Sequence, residues 1–495
     1  MTAACNDALQ LIKSVHARWG ERSPDVWFAT SQAQAVTAGD ACEALVAAPL
    51  WGLARAAMLE PHHVTIRLVD FGRAGVAESA ATFLQDLVDP DHENQLAYRA
   101  GRRFVARLSE AGAPRGDGPS FDAAASYLIT GGLGGLGLEV AEWMVRLGAR
   151  TIALLGRRAP SPEALARIES MRTMGARVVS LAADVSSRRE LAHALDTVRR
   201  ELPPLQGVVH AAGLLDDGFL SELTTERLAR VLAPKVAGAW NLHDLTEPDA
   251  LDFFVLFSSA ASLFGSPGQA SYAAANAFLD ALAHHRRAQG RPATSINWGP
   301  WSETGLAATD ARAGRLERMG VAGLSTEQGL EVLGRVLSAR PIQIGVVPVR
   351  AKEWARSLPR ALRMPYFALL ARRAGPDAER ASSQFMADFL ATEAGAQTAM
   401  LETYLHALIA QALRFSPAKL GLDDSLIGLG MDSITAVEIK NRIEGGTGAA
   451  LPILRFLGGA TVRDVAKGLR TQLLLTSIRR DQDQAAGDSV EVIDL

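Results

Sequence analysis

The chain has 495 residues, 48% of them hydrophobic and 21% charged, a composition ordinary for globular protein and long enough for more than one domain. A net charge of −3 gives no electrostatic ground for binding nucleic acid or an anionic membrane. The two cysteines, Cys5 and Cys42, lie far apart without metal-type spacing. Neither a disulfide framework nor a metal site is expected, and the usage suits a reducing compartment. No apolar run is long enough to span a bilayer and no signal segment opens the chain, so the expected location is cytoplasmic, with no membrane partner.

In chain order, strand-like runs Val26–Thr30, Val64–Asp70 and Phe104–Leu108 alternate with helix-like ones before about residue 120. Ala8, Leu9, Ile12, Val15, His16 and Trp19 fall on one helical face. This first α/β region has no glycine fingerprint. Ala111–Ser120, rich in Gly, Pro and Ala, reads as a linker. From Tyr127 to roughly Trp354, helices alternate with the strands Thr151–Leu155, Arg177–Ala182, Gly207–Ala211, Phe253–Ser258, Thr294–Asn297 and Ile344–Val349. That alternation predicts a doubly wound parallel sheet. A proline- and arginine-containing connector with some helix follows, then a small all-helical region from about Ala399 to Leu473. The residues from Arg479 on are polar and acidic and read as a disordered tail. The expected boundaries are 1–118, 119–358, 359–397, 398–474 and 475–495. The expected class is α/β: two Rossmann-like halves followed by a helical domain.

The most informative stretch is TGGLGGLG, residues 130–137. It follows the short apolar strand Ser126–Ile129 and precedes a helix-spaced run, Leu138–Val145. Such a turn brings backbone N–H groups to a pyrophosphate at the positive end of a helix. Thr130, Gly132, Gly134, Gly135 and Leu136 are its candidate contacts. Arg157 and Arg158 follow the next strand, about 20 residues after Gly137, where a dinucleotide-binding unit places its ribose-reading residue. An acidic residue there would bond the 2′-hydroxyl of NAD. Arginines instead pair with a 2′-phosphate, which points to NADPH. Alone, two arginines at a strand end are ordinary solvated charges; the glycine turn before them changes the weighting. Asp184 and Val185, after the third strand, are placed to face the adenine. His210, Ala211, Ala212 and Gly213 end the fourth, where small residues let a cofactor approach the backbone.

Ser259 ends another apolar strand, Tyr272 comes thirteen residues later at the opening of a helix, Asn276 follows one turn on, and Lys235 lies upstream. Carbonyl reduction needs a proton donor for the developing alkoxide. A phenol of pKa about 10 is a poor acid unless a nearby ammonium stabilises the phenolate and lowers that value. A serine hydroxyl can polarise the carbonyl. Singly, these residues read as packing, surface charge and a strand-end cap; in this order behind a glycine turn they form a constellation.

With these motifs, and HAAG, PKVAGAWNL, LFSSAASLFGSPGQASYAAANAFLDALAHHRR and INWGPW, residues 127 to about 354 resemble the ketoreductase domain of a modular polyketide synthase, a branch of the short-chain dehydrogenase/reductase superfamily. The resemblance implies hydride transfer from NADPH to the β-keto group of a carrier-bound acyl thioester. It implies Tyr272 as proton donor, Ser259 orienting the carbonyl, and Lys235 and Asn276 supporting the proton relay. The Lys and Asn positions are exchanged relative to the generic superfamily, as in polyketide ketoreductases. Residues 26–30, 48–53 and 98–103 resemble the family's truncated structural subdomain, to which no catalysis is assigned. The chain starts short of that subdomain's expected first strand, which suggests a piece of a longer polypeptide.

Leu215, Asp216 and Asp217 follow HAAG by one residue and resemble the signature of the B-type, which implies a D-configured hydroxyl. Phe264, eight residues before Tyr272, stands where the A-type carries tryptophan, and Ala274 where an epimerising subtype carries proline. A plain solvated acidic loop is the other reading of Asp216 and Asp217.

In the helical region, Asp432 reads as an N-cap that puts Ser433 in a helix's first turn, where the macrodipole favours negative charge. Tyr404, Leu405, Leu408, Ile409, Ala412 and Leu413 make an amphipathic helix, and Thr461 to Asp464 a capping box. Simple capping would explain Asp432 alone. The pattern over roughly 399–473 resembles an acyl carrier protein, which implies 4′-phosphopantetheine on Ser433, attached by a phosphopantetheinyl transferase. Ketosynthase and acyltransferase motifs are absent, so those partner domains lie on the same or another polypeptide. Two further readings stay open: a catalytically silent carrier and scaffold unit, and a free-standing short-chain dehydrogenase acting on a small ketone.

Overall fold

The computed structural model describes every residue except 1, 20–23, 61, 63, 74, 117, 306–315, 318–319, 376, 414, 450, 453 and 488–495. Strand β1, Asp25–Ser31, buries Val26, Phe28 and Thr30, the alternation of a strand with one covered face. It pairs in parallel with β2, Thr65–Phe71, which pairs in parallel with β3, Gln95–Arg99. β4, Arg102–Val105, closes this four-stranded sheet antiparallel to β3. The sequence reading missed β3. Its five residues are all buried, so no alternation marks it, and the hairpin turns through Ala100 and Gly101, both at positive φ. Gly101 adopts that conformation freely, whereas Ala100 is not a residue that announces it.

The second sheet has seven parallel strands: β5 (Ser126–Thr130), β6 (Thr151–Gly156), β7 (Arg177–Ala182), β8 (Leu205–His210), β9 (Phe253–Ser259), β10 (Thr294–Trp298) and β11 (Gln343–Val346), in the spatial order β11-β10-β9-β8-β5-β6-β7. β5 and β10 are buried throughout, which is why they read as continuous apolar runs. The strand order reverses between β5 and β8, and the crevice beyond their carboxyl ends is where such sheets bind ligands. Local signals start the helices. Ser161, Ser187 and Thr224 cap theirs, and Ser325 with Gln328 forms a reciprocal capping box.

The two sheets are joined through helices. Ala48–Leu59 from the first region lies along Ala270–Ala288, which follows β9. The contact is so close that a Cβ on Gly52 would stand 2.1 Å from the Ala273 carbonyl oxygen. Both sheets belong to one compact unit, Met1–Glu317 with Val321–Val349 and Met364–Tyr366.

The second unit is helical. Gln397–Leu413, Ser433–Thr447, Leu454–Leu457 and Val462–Gly487 enclose Leu401, Leu405, Ile409, Ile439, Ile443, Phe456, Val465 and Leu469. Met386 and Phe389, in the stretch read from sequence as a connector, are buried in this core through the helix Asp377–Ala391. The last helix reaches Gly487, past the point where the tail was expected to begin. Residues 488–495 of that tail lie outside the described residues. Among the described residues no helix is long and apolar enough to cross a membrane.

Candidate active site and carrier serine

Three glycines in the turn after β5, Gly131, Gly132 and Gly137, leave no room for a side chain. Gly131 has φ +68, and a Cβ there would meet the backbone of Ala211 and Ala212 at 2.9 Å. A Cβ on Gly132 would stand 2.6 Å from the Ile129 carbonyl, and one on Gly137 2.4 Å from that of Gly131. Gly131 and Gly137, absent from the candidate contacts, are thus the residues that shape the turn. Gly134 and Gly135 have ordinary space around them. They open the helix Gly135–Arg146, whose N-cap, Gly134, offers no side chain to its first N–H groups. Those free donors and the helix dipole fit a pyrophosphate.

Thr130 closes β5 with its hydroxyl 2.7 Å from His210 Nδ1. Burial, with the Lys235 ammonium second, pushes His210 down to about 3, so its imidazole is neutral. Arg157 and Arg158 stand exposed just past β6 and make no hydrogen bond or ion pair among the described residues. They fit a nucleotide phosphate. The Asp184 carboxylate accepts from the N–H and hydroxyl of Ser186 at 2.8 and 2.7 Å and so closes its own turn. Val185 is 3% exposed and packs where a Cβ on Gly238 would touch it, so its side chain belongs to the core. Ala211, Ala212 and Gly213 are half-buried beside the glycine turn.

Lys235, Ser259, Tyr272 and Asn276 converge. Lys235 sits in one π-helical turn, Ala233–Ala237, between two α-helical segments. Such a turn inserts an extra residue and re-aims the side chain; no local spacing in the sequence marks it. Its Nζ donates to the Phe257 carbonyl at 2.7 Å and lies 5.6 Å from the centre of the Tyr272 ring. Gly213 makes room for it: a Cβ there would stand 2.8 Å from Lys235 Cε. Ser259 ends β9 and caps the short helix after it, and its hydroxyl and the Asn276 side chain both bond the Tyr272 phenol. The Asn276 amide also donates to the Tyr272 carbonyl at 2.8 Å.

The electrostatics correct one expectation. Burial raises the Tyr272 phenol above its usual value, the bonds from Ser259 and Asn276 pull it back, and the Asp217 charge adds to the rise. Burial likewise pushes Lys235 down to about 7, opposed by the Asp280 carboxylate. Burial, the largest cause for both groups, sets the two directions, and the amine is not among the charges that move the phenol. Asp280, which the sequence reading left without a role, is buried behind the site and accepts from Ser262 and Ser295 hydroxyls at 2.7 and 2.6 Å and from the Asn297 amide.

Leu215, Asp216 and Asp217 are half-buried, not a solvated loop. Asp216 is held by Arg227 at 2.8 Å and Arg230 at 3.2 Å. Asp217 accepts from Gln269 Nε2 at 3.1 Å, three residues before Tyr272. Phe264 ends the short helix after Ser259.

In the second unit, the Asp432 carboxylate accepts from the Thr435 N–H at 2.7 Å, and Ser433 is the first residue of a fifteen-residue helix. Free N–H groups and the dipole at that end fit a phosphodiester. The Thr461 and Asp464 side chains each accept the other's backbone N–H at 3.2 Å, the expected capping box.

A doubly wound sheet with a glycine turn at its switch point and a Ser–Tyr–Lys–Asn cluster at the same end defines a short-chain dehydrogenase/reductase. Residues 125–303 match the KR domain family, residues 403–469 the phosphopantetheine attachment site, and residues 1–108 the Rossmann fold domain of the polyketide synthase extender module SpnB. The chain is 35% identical to PlmKR1, the ketoreductase from the first module of phoslactomycin biosynthesis in Streptomyces sp. HK803, covering 75% of this chain and 86% of that one with a TM-score of 0.69. An A-type ketoreductase from a modular polyketide synthase is 35% identical over 70% of this chain and 74% of its own, with a TM-score of 0.64. A phenolphthiocerol/phthiocerol polyketide synthase protein of Mycobacterium tuberculosis (strain CDC 1551 / Oshkosh) is 36% identical over 98% of this chain, which spans 26% of that protein. The chain belongs to the ketoreductases of modular polyketide synthases, joined to a phosphopantetheine-bearing carrier domain. Its chemistry is ketoreduction in polyketide biosynthesis.

Proposed function

We propose that the chain reduces the β-keto group of an acyl thioester, with NADPH as reductant and a D-configured β-hydroxyl as product, while the substrate is tethered to the carrier domain. The observation that carries this reading is the convergence of Lys235, Ser259, Tyr272 and Asn276 at one end of the sheet. The free helix N-terminus at Gly134–Gly135 holds the pyrophosphate, and Arg157 with Arg158 the 2′-phosphate. Bound there, NADPH supplies the hydride. Ser259 bonds the substrate carbonyl and polarises it. The Tyr272 phenol, kept protonated by its burial, gives its proton to the developing alkoxide. Lys235, with Asn276 one turn from Tyr272, restores that proton; Asn276 Oδ1 is buried and has no hydrogen-bond partner among the described residues, an acceptor left open for the relay.

The B-type assignment rests on the Leu215–Asp217 segment, which stands close enough to Tyr272 for its charge to act on the phenol. A phosphopantetheinyl transferase attaches the arm to Ser433, and the tether raises the effective substrate concentration at the reductase. Ketosynthase and acyltransferase domains, on this or another polypeptide, supply the β-keto chain, and the protein works in the cytoplasm. NADPH oxidation with a β-keto thioester surrogate tests the reading. Tyr272→Phe should lower turnover at least a hundredfold, the scale of lost general-acid catalysis, and leave NADPH binding intact. Unchanged turnover would remove Tyr272 from the mechanism, and an L-configured product from the unaltered protein would overturn the B-type assignment.

A further inference from the structure

Glu60 comes from the region that carries no cofactor turn, yet its carboxylate reaches into the other half of the unit. It follows the helix Ala48–Leu59 and is 3% exposed. One oxygen accepts the Gly268 N–H at 3.0 Å, and the other the Leu220 N–H at 2.8 Å. Gly268 lies four residues before Tyr272, in a turn where it takes φ +78. Leu220 begins the short turn that ends the Leu215–Asp217 segment. Those two stretches also meet each other: the Gly218 N–H donates to the Gly268 carbonyl at 2.8 Å, and Gln269 donates to Asp217. A buried carboxylate is costly to desolvate, and here burial pushes it up to about 7, with the two N–H bonds opposing. A residue whose only task was to fill space would not need that charge.

We propose that Glu60 is a positioning residue for ketoreduction: by gripping Leu220 and Gly268 together it sets the gap between the Leu215–Asp217 segment and Tyr272, and so the face of the carbonyl that meets the cofactor. This rests on the reading that the Leu215–Asp217 segment borders the substrate. Of the groups the molecule offers, only a carboxylate presents two acceptors fixed on one carbon to two N–H groups. A glutamine at this position keeps one acceptor and turns a donor toward the second N–H.

The test uses the full chain, a β-keto thioester surrogate and NADPH. Glu60→Gln is expected to leave the dissociation constant of NADPH within twofold. It should raise KM for the thioester about tenfold, the scale of one lost charge-assisted bond, and lower the ratio of major to minor hydroxyl isomer. Glu60→Ala, losing both acceptors, should go further in the same direction; where it fails to fold, Glu60→Gln carries the test alone. A lowered melting temperature with unchanged KM and isomer ratio would overturn the proposal, since that is all a merely structural role would show. Leu215→Ala and Asp217→Asn separate the two readings. If they shift the isomer ratio and Glu60→Gln does not, only the role of Glu60 falls. If neither they nor Glu60→Gln shift it, the border reading falls and the proposal with it.

Discussion

Gly52→Ala adds one methyl group, far in sequence from any site residue, and should nearly silence the reductase. The added Cβ would stand 2.1 Å from the Ala273 oxygen, 2.5 Å from its carbonyl carbon and 2.8 Å from the Ala274 nitrogen. All three are backbone atoms of the helix that carries Tyr272 and Asn276, so no side chain can swing aside. An ordinary Cβ contact begins at 3.4 Å, so one helix must retreat by about 1.3 Å. Overpacking of this kind costs roughly 1–3 kcal/mol of stability. Tyr272 is the residue next to the clash, and a misplacement of about 1 Å at a reacting group can cost on the order of a hundredfold in rate. The assay is NADPH oxidation with a β-keto thioester surrogate at saturating cofactor, alongside thermal unfolding and NADPH titration. The expected result is a turnover lowered by one to two orders of magnitude with NADPH affinity nearly unchanged, because the clash falls on the Tyr272 helix and not on the glycine turn. Gly39→Ala is the control, since nothing lies within 4 Å of its Cβ position. Wild-type turnover and melting temperature in Gly52→Ala would refute the claim that the first region aligns the Tyr272 helix.

Arg157→Ala should weaken NADPH by roughly ten- to a hundredfold and NADH far less; equal losses for both would undo the 2′-phosphate assignment. The pH profile follows from Lys235. Burial pushes it down to about 7, so the ammonium is present below that value and lost above it. Because the protonated amine restores the phenol, kcat/KM for reduction, which reports the free enzyme, should fall about tenfold per unit as pH rises beyond 7. A profile flat to pH 9 would show that the amine proton is not used. Intact mass after incubation with a phosphopantetheinyl transferase and coenzyme A should rise by one arm in the native chain and not in Ser433→Ala; a gain in the variant would place the attachment elsewhere.

Much of this was written locally. Most strands ended within a residue or two of where apolar runs stopped, since strands such as β5 and β6, buried on both faces, have to be apolar from end to end. The expected strands Phe104–Leu108 and Ile344–Val349 ran three residues too far, past the observed ends at Val105 and Val346. The Asp432 cap and the Thr461–Asp464 box are contacts between residues three apart, so spacing alone discloses them. The short-range pattern also brought Ser259, Tyr272 and Asn276 together, one strand end and one helical turn. β3 escaped, since uniform burial erased its period, and so did the core role of Met386 and Phe389 within a stretch whose prolines suggested a connector.

Only the tertiary structure decided the rest, and for one physical reason: these properties belong to pairs of groups distant in sequence. The π-helical turn aims Lys235 across Tyr272, and the absence of a Cβ on Gly213 gives it room. The direction in which the phenol and the amine shift depends on how much water each has lost, which no motif records. The grip of Glu60 on Leu220 and Gly268 spans 160 and 208 residues, so the amino-acid order names the glutamate while folding alone gives it something to hold.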